Sequence, residues 1–296
     1  MSELFARVWT ALWTPTDNQG RLLKEEIKSH IAFLRKSGVD GIVVGGSTGE
    51  FRRLTLQQRQ ELLGWVIQCA GPMPVIANIS AENMEHLKIL ARGACEHQVA
   101  GVIVLPPSYY AIPQEDLVAY FKYVATLTEG LPFLLYNFPE CIRNSIEAHT
   151  VEELADSIVL AGIKQSGNAF DYHKELVRVA QQKHFTVLTG SDTRLPEALK
   201  LGVKGSIGGL SNGVPELIVD VFYGSQNQQD VSASQTKLQQ IAKIIAPLNF
   251  PYDVAALIQA RGFEVGADKT IRSAHSLNLQ AKVVAELKTL FAEWGF

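Results

Sequence analysis

Short apolar runs recur at even intervals along the chain, and segments with helical periodicity separate them. Most runs are rich in β-branched residues and are bounded by Gly, Pro, Ser or Asn, which is typical of buried strands. The eight runs read, in order, VWTALWTP, GIVVGGST, PVIANIS, GVIVLPP, PFLLYNFP, IVLAGIKQS, FTVLTGSD and GSIGGLSN. The pattern therefore predicts eight buried strands that alternate with helices.

The segments between the runs carry signals for the start of helices. Thr55 opens TLQQRQELLGWVIQCAG, and Pro113 stands near the start of PQEDLVAYFKYVATL. Parallel strands need a crossover helix between them, and eight such β-α units is the number that closes a barrel. We therefore predict an α/β fold, a (β/α)8 TIM barrel.

The chain continues beyond the eighth unit with three more helical stretches: ASQTKLQQIAKIIAPL, PYDVAALIQARGF and LNLQAKVVAELKTLFAEW. The polar segment GSQNQQDVSAS before them is typical of a loop. We expect a (β/α)8 barrel catalytic domain over residues 1–224 and a C-terminal helical extension, packed on the barrel, over residues 225–296.

Composition and charge restrict the partners of the protein. The net charge is −3 and no dense Lys/Arg cluster is present, which argues against nucleic acid. No apolar run reaches the roughly 18 residues that a membrane span needs, and the first residues do not resemble a secretion signal. The three cysteines form no C-x-x-C pair, which fits a reducing compartment. We expect a cytoplasmic protein with no membrane partner.

Candidate chemistry lies where the strands end, because active sites of such barrels occupy the carboxyl ends of the strands. The residues at these ends are Ser47 and Thr48 in the turn GGSTGE, Tyr109 and Tyr110, Tyr136 and Asn137, Lys164, and Gly190 and Asp192. The turn lacks the signatures of the common nucleotide-binding loops, but its hydroxyl and N–H groups suit a small carboxylate. No H-E-x-x-H motif or comparable ligand cluster occurs, so we predict no metal and no cofactor.

Lys164 ends an apolar strand, where loss of hydration favours a neutral amine. Such an amine attacks a ketone to give a Schiff base, whose iminium accepts electrons from an adjacent C–C bond. Taken singly, Lys164 is typical of a lysine whose stem covers apolar surface, and Tyr136 of a half-buried strand tyrosine. Thr48 alone is typical of a turn residue. Their expected convergence at one end of the barrel favours the catalytic interpretation.

The motifs GGSTGE, YNFP, GIKQSGN and GSD, in this order and strand placement, resemble the dihydrodipicolinate synthase and N-acetylneuraminate lyase family over the length of the chain. The resemblance implies that Lys164 forms a Schiff base with pyruvate, or with the pyruvate part of a 2-oxo acid, and that Tyr136 shuttles protons. It implies that Ser47 and Thr48 hold the carboxylate, and that Thr48 links Tyr136 to Tyr110, which in many members enters the site of a neighbouring subunit. We therefore expect a homotetramer or homodimer.

The chain also departs from the patterns of individual family members. Members that make dihydrodipicolinate usually carry an arginine shortly after Y-N-x-P, whereas here Cys141 stands near that position and Arg143 follows two residues later. Sialic acid lyases usually have an acidic residue after the Asp of the strand-seven motif and a Ser in the strand-eight motif. Here Thr193 follows Asp192, and Gly209 stands where that Ser is expected.

Arg52 and Arg53 follow the GGSTGE turn. Both a surface ion-pair role and contact with an acidic acceptor substrate stay open for these two residues.

The motifs and the departures from them lead to two enzymatic hypotheses. The first is a pyruvate-dependent class I aldolase or lyase that cleaves or dehydrates a 2-oxo-3-deoxy sugar acid or a similar hydroxy-2-oxo acid, with Gly190, Asp192 and Gly209 also contacting substrate. The second is a dihydrodipicolinate synthase that condenses pyruvate with aspartate semialdehyde, with Arg143 moved into place. A third hypothesis, of another class, is a barrel that binds a 2-oxo acid without turnover.

Overall fold

A computed structural model describes residues 2–167 and 169–296. In this part of the chain, eight strands form a closed barrel, and the strand order around the barrel is the order along the chain. The strands are β1 (Val8–Ala11), β2 (Gly41–Val44), β3 (Val75–Asn78), β4 (Gly101–Val104), β5 (Phe133–Asn137), β6 (Leu160–Gln165), β7 (Thr186–Thr189) and β8 (Gly205–Gly208). The predicted TIM barrel is confirmed.

Helices alternate with the strands and continue after the last one. They are α1 (Ser2–Phe5), α2 (Lys24–Lys36), α3 (Leu56–Ala70), α4 (Met84–Glu96), α5 (Gln114–Thr126), α6 (Ala148–Ser157), α7 (Phe170–Lys183), α8 (Leu195–Lys200), α9 (Pro215–Gln226), α10 (Ser232–Ile245), α11 (Tyr252–Ala260) and α12 (Ala274–Trp294). No helix within the described ranges is long and apolar enough to cross a membrane.

Local sequence explains where two of these helices begin. Thr55 caps α3, since its hydroxyl accepts from the Gln58 N–H at 3.2 Å while the Gln58 side chain accepts from the Thr55 N–H at 2.6 Å. This reciprocal capping satisfies two N–H groups that the helix itself leaves unpaired. Pro113 directly precedes α5, where its missing N–H costs no helical hydrogen bond. Both predicted helix starts are confirmed.

The described chain forms two compact units. The first contains the residues up to Trp9 together with Pro74–Gly208, and the second contains Thr10–Met73 and Gly209–Phe296. In the first unit, β3 to β8 pair in parallel with their chain neighbours. Every strand position is buried, because both faces of such a sheet are covered.

The amino-terminal end of the strands in the first unit is filled by large side chains that enter space left by glycines. α1 contacts β6 and β7, and Phe5, Leu134 and Leu188 are fully or almost fully buried. A Cβ atom on any of three glycines would lie within 3.2 Å of these residues or of backbone oxygens; this glycine layer consists of Gly101, Gly162 and Gly205. The layer therefore allows close packing at this end.

In the second unit, the three predicted C-terminal helices are present as α10, α11 and α12 and contact one another. α11 also contacts the short 3-10 turn Leu210–Asn212, which follows β8. His30 on α2 and Asn212 form a buried contact across this unit, 2.8 Å from the imidazole Nε2 to the carbonyl oxygen. The domain boundary between residues 224 and 225 stays a prediction.

Candidate active site

Lys164 and Tyr136 lie side by side in the first unit. They are register partners on β6 and β5, and the Lys164 Nζ lies 3.3 Å from the Tyr136 hydroxyl oxygen and 4.3 Å from the centre of its ring. Only 6% of Lys164 and 3% of Tyr136 are exposed. An amine and a phenol thus share a buried position at the carboxyl ends of two strands, where a nucleophile and a proton carrier are needed together for Schiff-base chemistry.

Gly190 leaves the space that Lys164 occupies. Its N–H donates to the Gln165 carbonyl at 2.8 Å, which holds the end of β7 against β6. A Cβ atom at position 190 would overlap the Ser166 hydroxyl and lie 3.1 Å from the Lys164 Cε. Gly190 and Lys164, both predicted site residues, are therefore neighbours.

Ser166 is a candidate that the sequence reasoning missed. It is 6% exposed and lies two residues after Lys164. Side chains two residues apart on an extended segment point to the same face, so this spacing was the available signal. The Ser166 hydroxyl and the Lys164 Cε both lie next to position 190. Ser166 therefore adds a polar group beside the aliphatic part of the Lys164 side chain.

Asp192 lies at the start of the 3-10 turn Asp192–Arg194 and is 6% exposed. A Cβ atom on Gly208 would overlap its carboxylate, so this acid rests on the end of β8. Carboxylate oxygens accept hydrogen bonds from hydroxyl groups. Its position in the first unit gives this region a potential acceptor for hydroxyl groups of a substrate.

A pair of buried amides lies one register step beyond the lysine and the tyrosine. The Asn137 Nδ2 donates to the Gln165 Oε1 at 2.8 Å, and the Asn137 Oδ1 accepts from the Ile146 N–H at 2.9 Å. Because side chains alternate along a strand, this pair faces away from the Lys164 and Tyr136 side chains. It ties the ends of β5 and β6 to the loop that follows β5.

The loop after β5 carries Glu140 close to Gly167, which has a φ of +92°. A Cβ atom at position 167 would lie 2.7 Å from the Glu140 Oε1. Cys141 and Arg143 on this loop are exposed, and the Arg143 N–H donates to the Ser108 carbonyl at 3.2 Å. The loop thus presents a carboxylate near the turn after β6, and the role of Arg143 stays a prediction.

Ser47, Thr48 and Gly209 belong to the second unit. The Glu50 N–H donates to the Ser47 carbonyl at 3.0 Å, which closes the turn, and Thr48 is 4% exposed while Ser47 is half-buried. A Cβ atom on Gly209 would lie 3.4 Å from the Thr48 hydroxyl oxygen and 3.1 Å from Val254. The structure brings Thr48 and Gly209 together, and their roles stay predictions.

Tyr109 and Tyr110 form an exposed aromatic pair in the first unit. They are 73% and 77% exposed, and their rings meet edge to face with centroids 4.9 Å apart. Asn144 holds their loop, since its Nδ2 donates to the carbonyls of Pro107 at 2.6 Å and Tyr110 at 2.7 Å. Exposed tyrosines on a tethered loop are typical of a protein interface.

Comparison with known proteins places this geometry in a family. The model of the dihydrodipicolinate synthetase family matches residues 4–288. A 4-hydroxy-tetrahydrodipicolinate synthase of Staphylococcus saprophyticus is 27% identical over 265 residues, which is 89% of each chain.

Solved structures agree with this match. YagE, a prophage protein of the dihydrodipicolinic acid synthase family from E. coli K12 in complex with pyruvate, has a TM-score of 0.88 and 26% identity, with 97% of each chain covered. A 2-keto-3-deoxygluconate aldolase of Sulfolobus shares the fold, with a TM-score of 0.86 and 20% identity over 98% of each chain. The chain therefore belongs to the dihydrodipicolinate synthetase family, whose members are lyases of the Schiff-base-forming, class I type.

Proposed function

We propose that the protein is a pyruvate-dependent aldolase or lyase that acts on a 2-oxo-3-deoxy sugar acid or a similar hydroxy-2-oxo acid. The observation that carries the proposal is the buried contact between the Lys164 amine and the Tyr136 hydroxyl. Pyruvate is bound by the related YagE, which supports pyruvate as the product or co-substrate here.

In the cleavage direction, the Lys164 Nζ attacks the C2 carbonyl carbon of the substrate, and loss of water gives the iminium. Tyr136 takes the proton of the C4 hydroxyl as the C3–C4 bond breaks, and the bonding electrons pass to the iminium. An aldehyde leaves. The remaining enamine takes a proton at C3, and water releases pyruvate and restores the free lysine. Loss of a hydroxyl group in place of the C–C cleavage is a close variant.

The remaining predicted residues have proposed roles in binding. Ser47 and Thr48 hold the substrate carboxylate with hydroxyl and N–H donors, and Thr48 links Tyr136 to Tyr110 in a proton relay. Asp192 accepts hydrogen bonds from substrate hydroxyl groups, and Gly190 and Gly209 leave room for the substrate chain. No metal or organic cofactor takes part in these steps.

The loop after β5 favours a hydroxylated substrate over aspartate semialdehyde. A dicarboxylate-forming condensation is served by a cation at this loop, but Cys141 stands near that position and the neighbouring residue is Glu140. A carboxylate on this loop repels the carboxylate of aspartate semialdehyde, whereas it accepts hydrogen bonds from hydroxyl groups. The second candidate, dihydrodipicolinate synthase with Arg143 as the acceptor-binding cation, is supported by the Staphylococcus relative.

A barrel that binds a 2-oxo acid without turnover is the less favoured hypothesis, since family members are lyases.

We also propose that the protein forms a homotetramer or homodimer, based on the exposed Tyr109 and Tyr110. A cytoplasmic location is supported by the three cysteines, which form no C-x-x-C pair and fit a reducing compartment.

The first test is intact mass after incubation with pyruvate and borohydride, which reduces the iminium to a stable amine. A pyruvate-sized adduct is expected on the wild type and not on Lys164→Ala. A folded wild type without an adduct contradicts the proposal. Turnover of 2-oxo-3-deoxy sugar acids and of aspartate semialdehyde, measured side by side, then decides between the two enzymatic candidates.

A further inference from the structure

A segment of the C-terminal extension lies on the first residues after β1, within the second unit. This segment, residues 263–269, is called the strap. The Trp13 Nε1 donates to the Val265 carbonyl at 2.9 Å, and the Ala267 N–H donates to the Thr16 carbonyl at 2.6 Å. Gly266 has a φ of +76°, and a Cβ atom there would lie 2.6 Å from the Thr16 backbone nitrogen. The strap is therefore closely fitted to residues 13–16.

The strap ends in a buried ion pair between Lys269 and Glu50, the last residue of the GGSTGE turn. The Lys269 Nζ lies 2.9 Å from the Glu50 Oε2, and these side chains are 6% and 4% exposed. The Lys269 Nζ also lies 5.1 Å from the centre of the Trp13 ring. The other oxygen of Glu50 contacts the Arg53 guanidinium, which donates to the Tyr252 hydroxyl at 3.0 Å. One buried carboxylate thus receives two cations.

Glu50 lies at the end of the turn that carries Ser47 and Thr48. Its φ of 57° and ψ of 39° lie in the left-handed region, which a side chain other than glycine adopts at a cost. Gly49 before it admits no side chain, because a Cβ atom there would lie 2.7 Å from the Thr14 hydroxyl and 2.8 Å from the Leu12 carbonyl. Since the Glu50 N–H also donates to the Ser47 carbonyl, a displacement of Glu50 displaces Ser47.

We propose that Lys269 and Glu50 are positioning residues that hold the Ser47–Thr48 turn in the shape that binds the carboxylate of the 2-oxo acid. This inference rests on the proposed function, because it takes the turn as the carboxylate site. Lys269 lies 219 positions from Glu50 along the chain, so the C-terminal extension acts on the turn through this pair.

The test is the pyruvate concentration that gives half-maximal trapping by borohydride, measured with the thermal midpoint of each variant. Lys269→Met is expected to raise this concentration about tenfold or more, since small displacements of binding groups have effects of this size. Lys269→Arg keeps the positive charge beside Glu50, so it is expected to raise this concentration less than Lys269→Met does. Lys288→Met, an exposed lysine of α12, is the matched control and should change neither quantity.

Lys269→Met leaves a buried carboxylate with one cation fewer, which destabilises the fold. The double variant Glu50→Gln/Lys269→Met removes the charges of both side chains. It therefore tests whether the pair positions the turn even if Lys269→Met alone does not fold. A double variant that recovers the thermal midpoint but still needs the higher pyruvate concentration supports positioning. Recovery of both quantities overturns the proposal, as does a folded Lys269→Met with wild-type half-saturation. Absence of an adduct on the wild type instead contradicts the proposed function.

Discussion

The Lys164 amine lies 3.3 Å from the Tyr136 hydroxyl, and the two residues are register partners on adjacent parallel strands. Both groups lie on strands of the barrel, so neither of them is positioned by a loop. Pre-organisation of this kind reduces the motion that proton transfer requires.

Tyr136→Phe is expected to lower kcat by about 10² to 10³, because it removes a proton carrier and keeps the ring. The borohydride adduct at saturating pyruvate should still form, since the Lys164 amine remains. Steady-state kinetics and intact mass measure the two effects. Tyr123→Phe, on an exposed tyrosine of α5, serves as the control, and equal losses in both variants would contradict a role of Tyr136 in proton transfer.

Gly190→Ala is expected to abolish trapping of pyruvate while the fold persists. The new methyl group would overlap the Ser166 hydroxyl and press on the Lys164 Cε at 3.1 Å. Far-ultraviolet circular dichroism checks the fold, and mass spectrometry checks the adduct. Gly93→Ala in α4 is the matched control, because a Cβ atom at that position meets nothing within 4 Å. Wild-type trapping by Gly190→Ala would show that the lysine does not need this space.

Glu140→Gln combined with Cys141→Arg is expected to change the substrate preference. The double substitution removes a negative charge and adds a guanidinium for a second carboxylate, so the ratio of kcat/KM for aspartate semialdehyde to that for sugar acids should rise about tenfold or more. Glu175→Gln on α7 provides the control. An unchanged ratio would mean that the acceptor substrate does not approach this loop.

The buried His30 is expected to make the stability of the fold sensitive to acid. Burial lowers its pKa from 6.5 to about 4, against the opposing effect of its contact with the Asn212 carbonyl. Between these values the unfolded chain binds a proton that the folded chain does not. The contribution of His30 to the free energy of unfolding is therefore fully present above pH 6.5. It is lost as the pH drops toward 4, and it amounts to about 3 kcal/mol.

Urea unfolding at several pH values measures this effect. His30→Gln is expected to flatten the pH dependence of the free energy of unfolding between pH 6.5 and 4, whereas His97→Gln, on an exposed histidine, should leave it unchanged. The same slope in wild type and His30→Gln would assign the acid sensitivity to other groups.

The exposed pair Tyr109 and Tyr110 is expected to lie at a subunit interface. The wild type should elute from size exclusion at the volume of a tetramer or dimer, and Tyr109→Ser/Tyr110→Ser should elute later and lose activity, because two large aromatic contacts are removed. Tyr123→Ser is the control. A fully active monomeric wild type would contradict the interface.

The sequence predicted the closed barrel because apolar runs and helical periodicity are local signals that survive without any knowledge of packing. It also predicted that Lys164 and Tyr136 lie together, since both interrupt apolar runs at strand ends, and the structure confirms this proximity while their roles stay predictions. Ser166 was missed because it was read only as the boundary of its strand. The pairing of Lys269 with Glu50 has no local signal at all, since it depends on how the chain returns after 219 positions. Long-range ion pairs of this kind become visible only with the tertiary structure.

The glycine layer has a consequence for directed evolution. Gly101, Gly162 and Gly205 leave no room for a side chain, so clones that carry a substitution at any of these three positions are expected to fold poorly. Libraries that leave the glycine layer untouched can instead vary the loops after β5 and β7, where we propose that the acceptor substrate binds. The same chain can then be screened for new carbon–carbon bond formations with few inactive members.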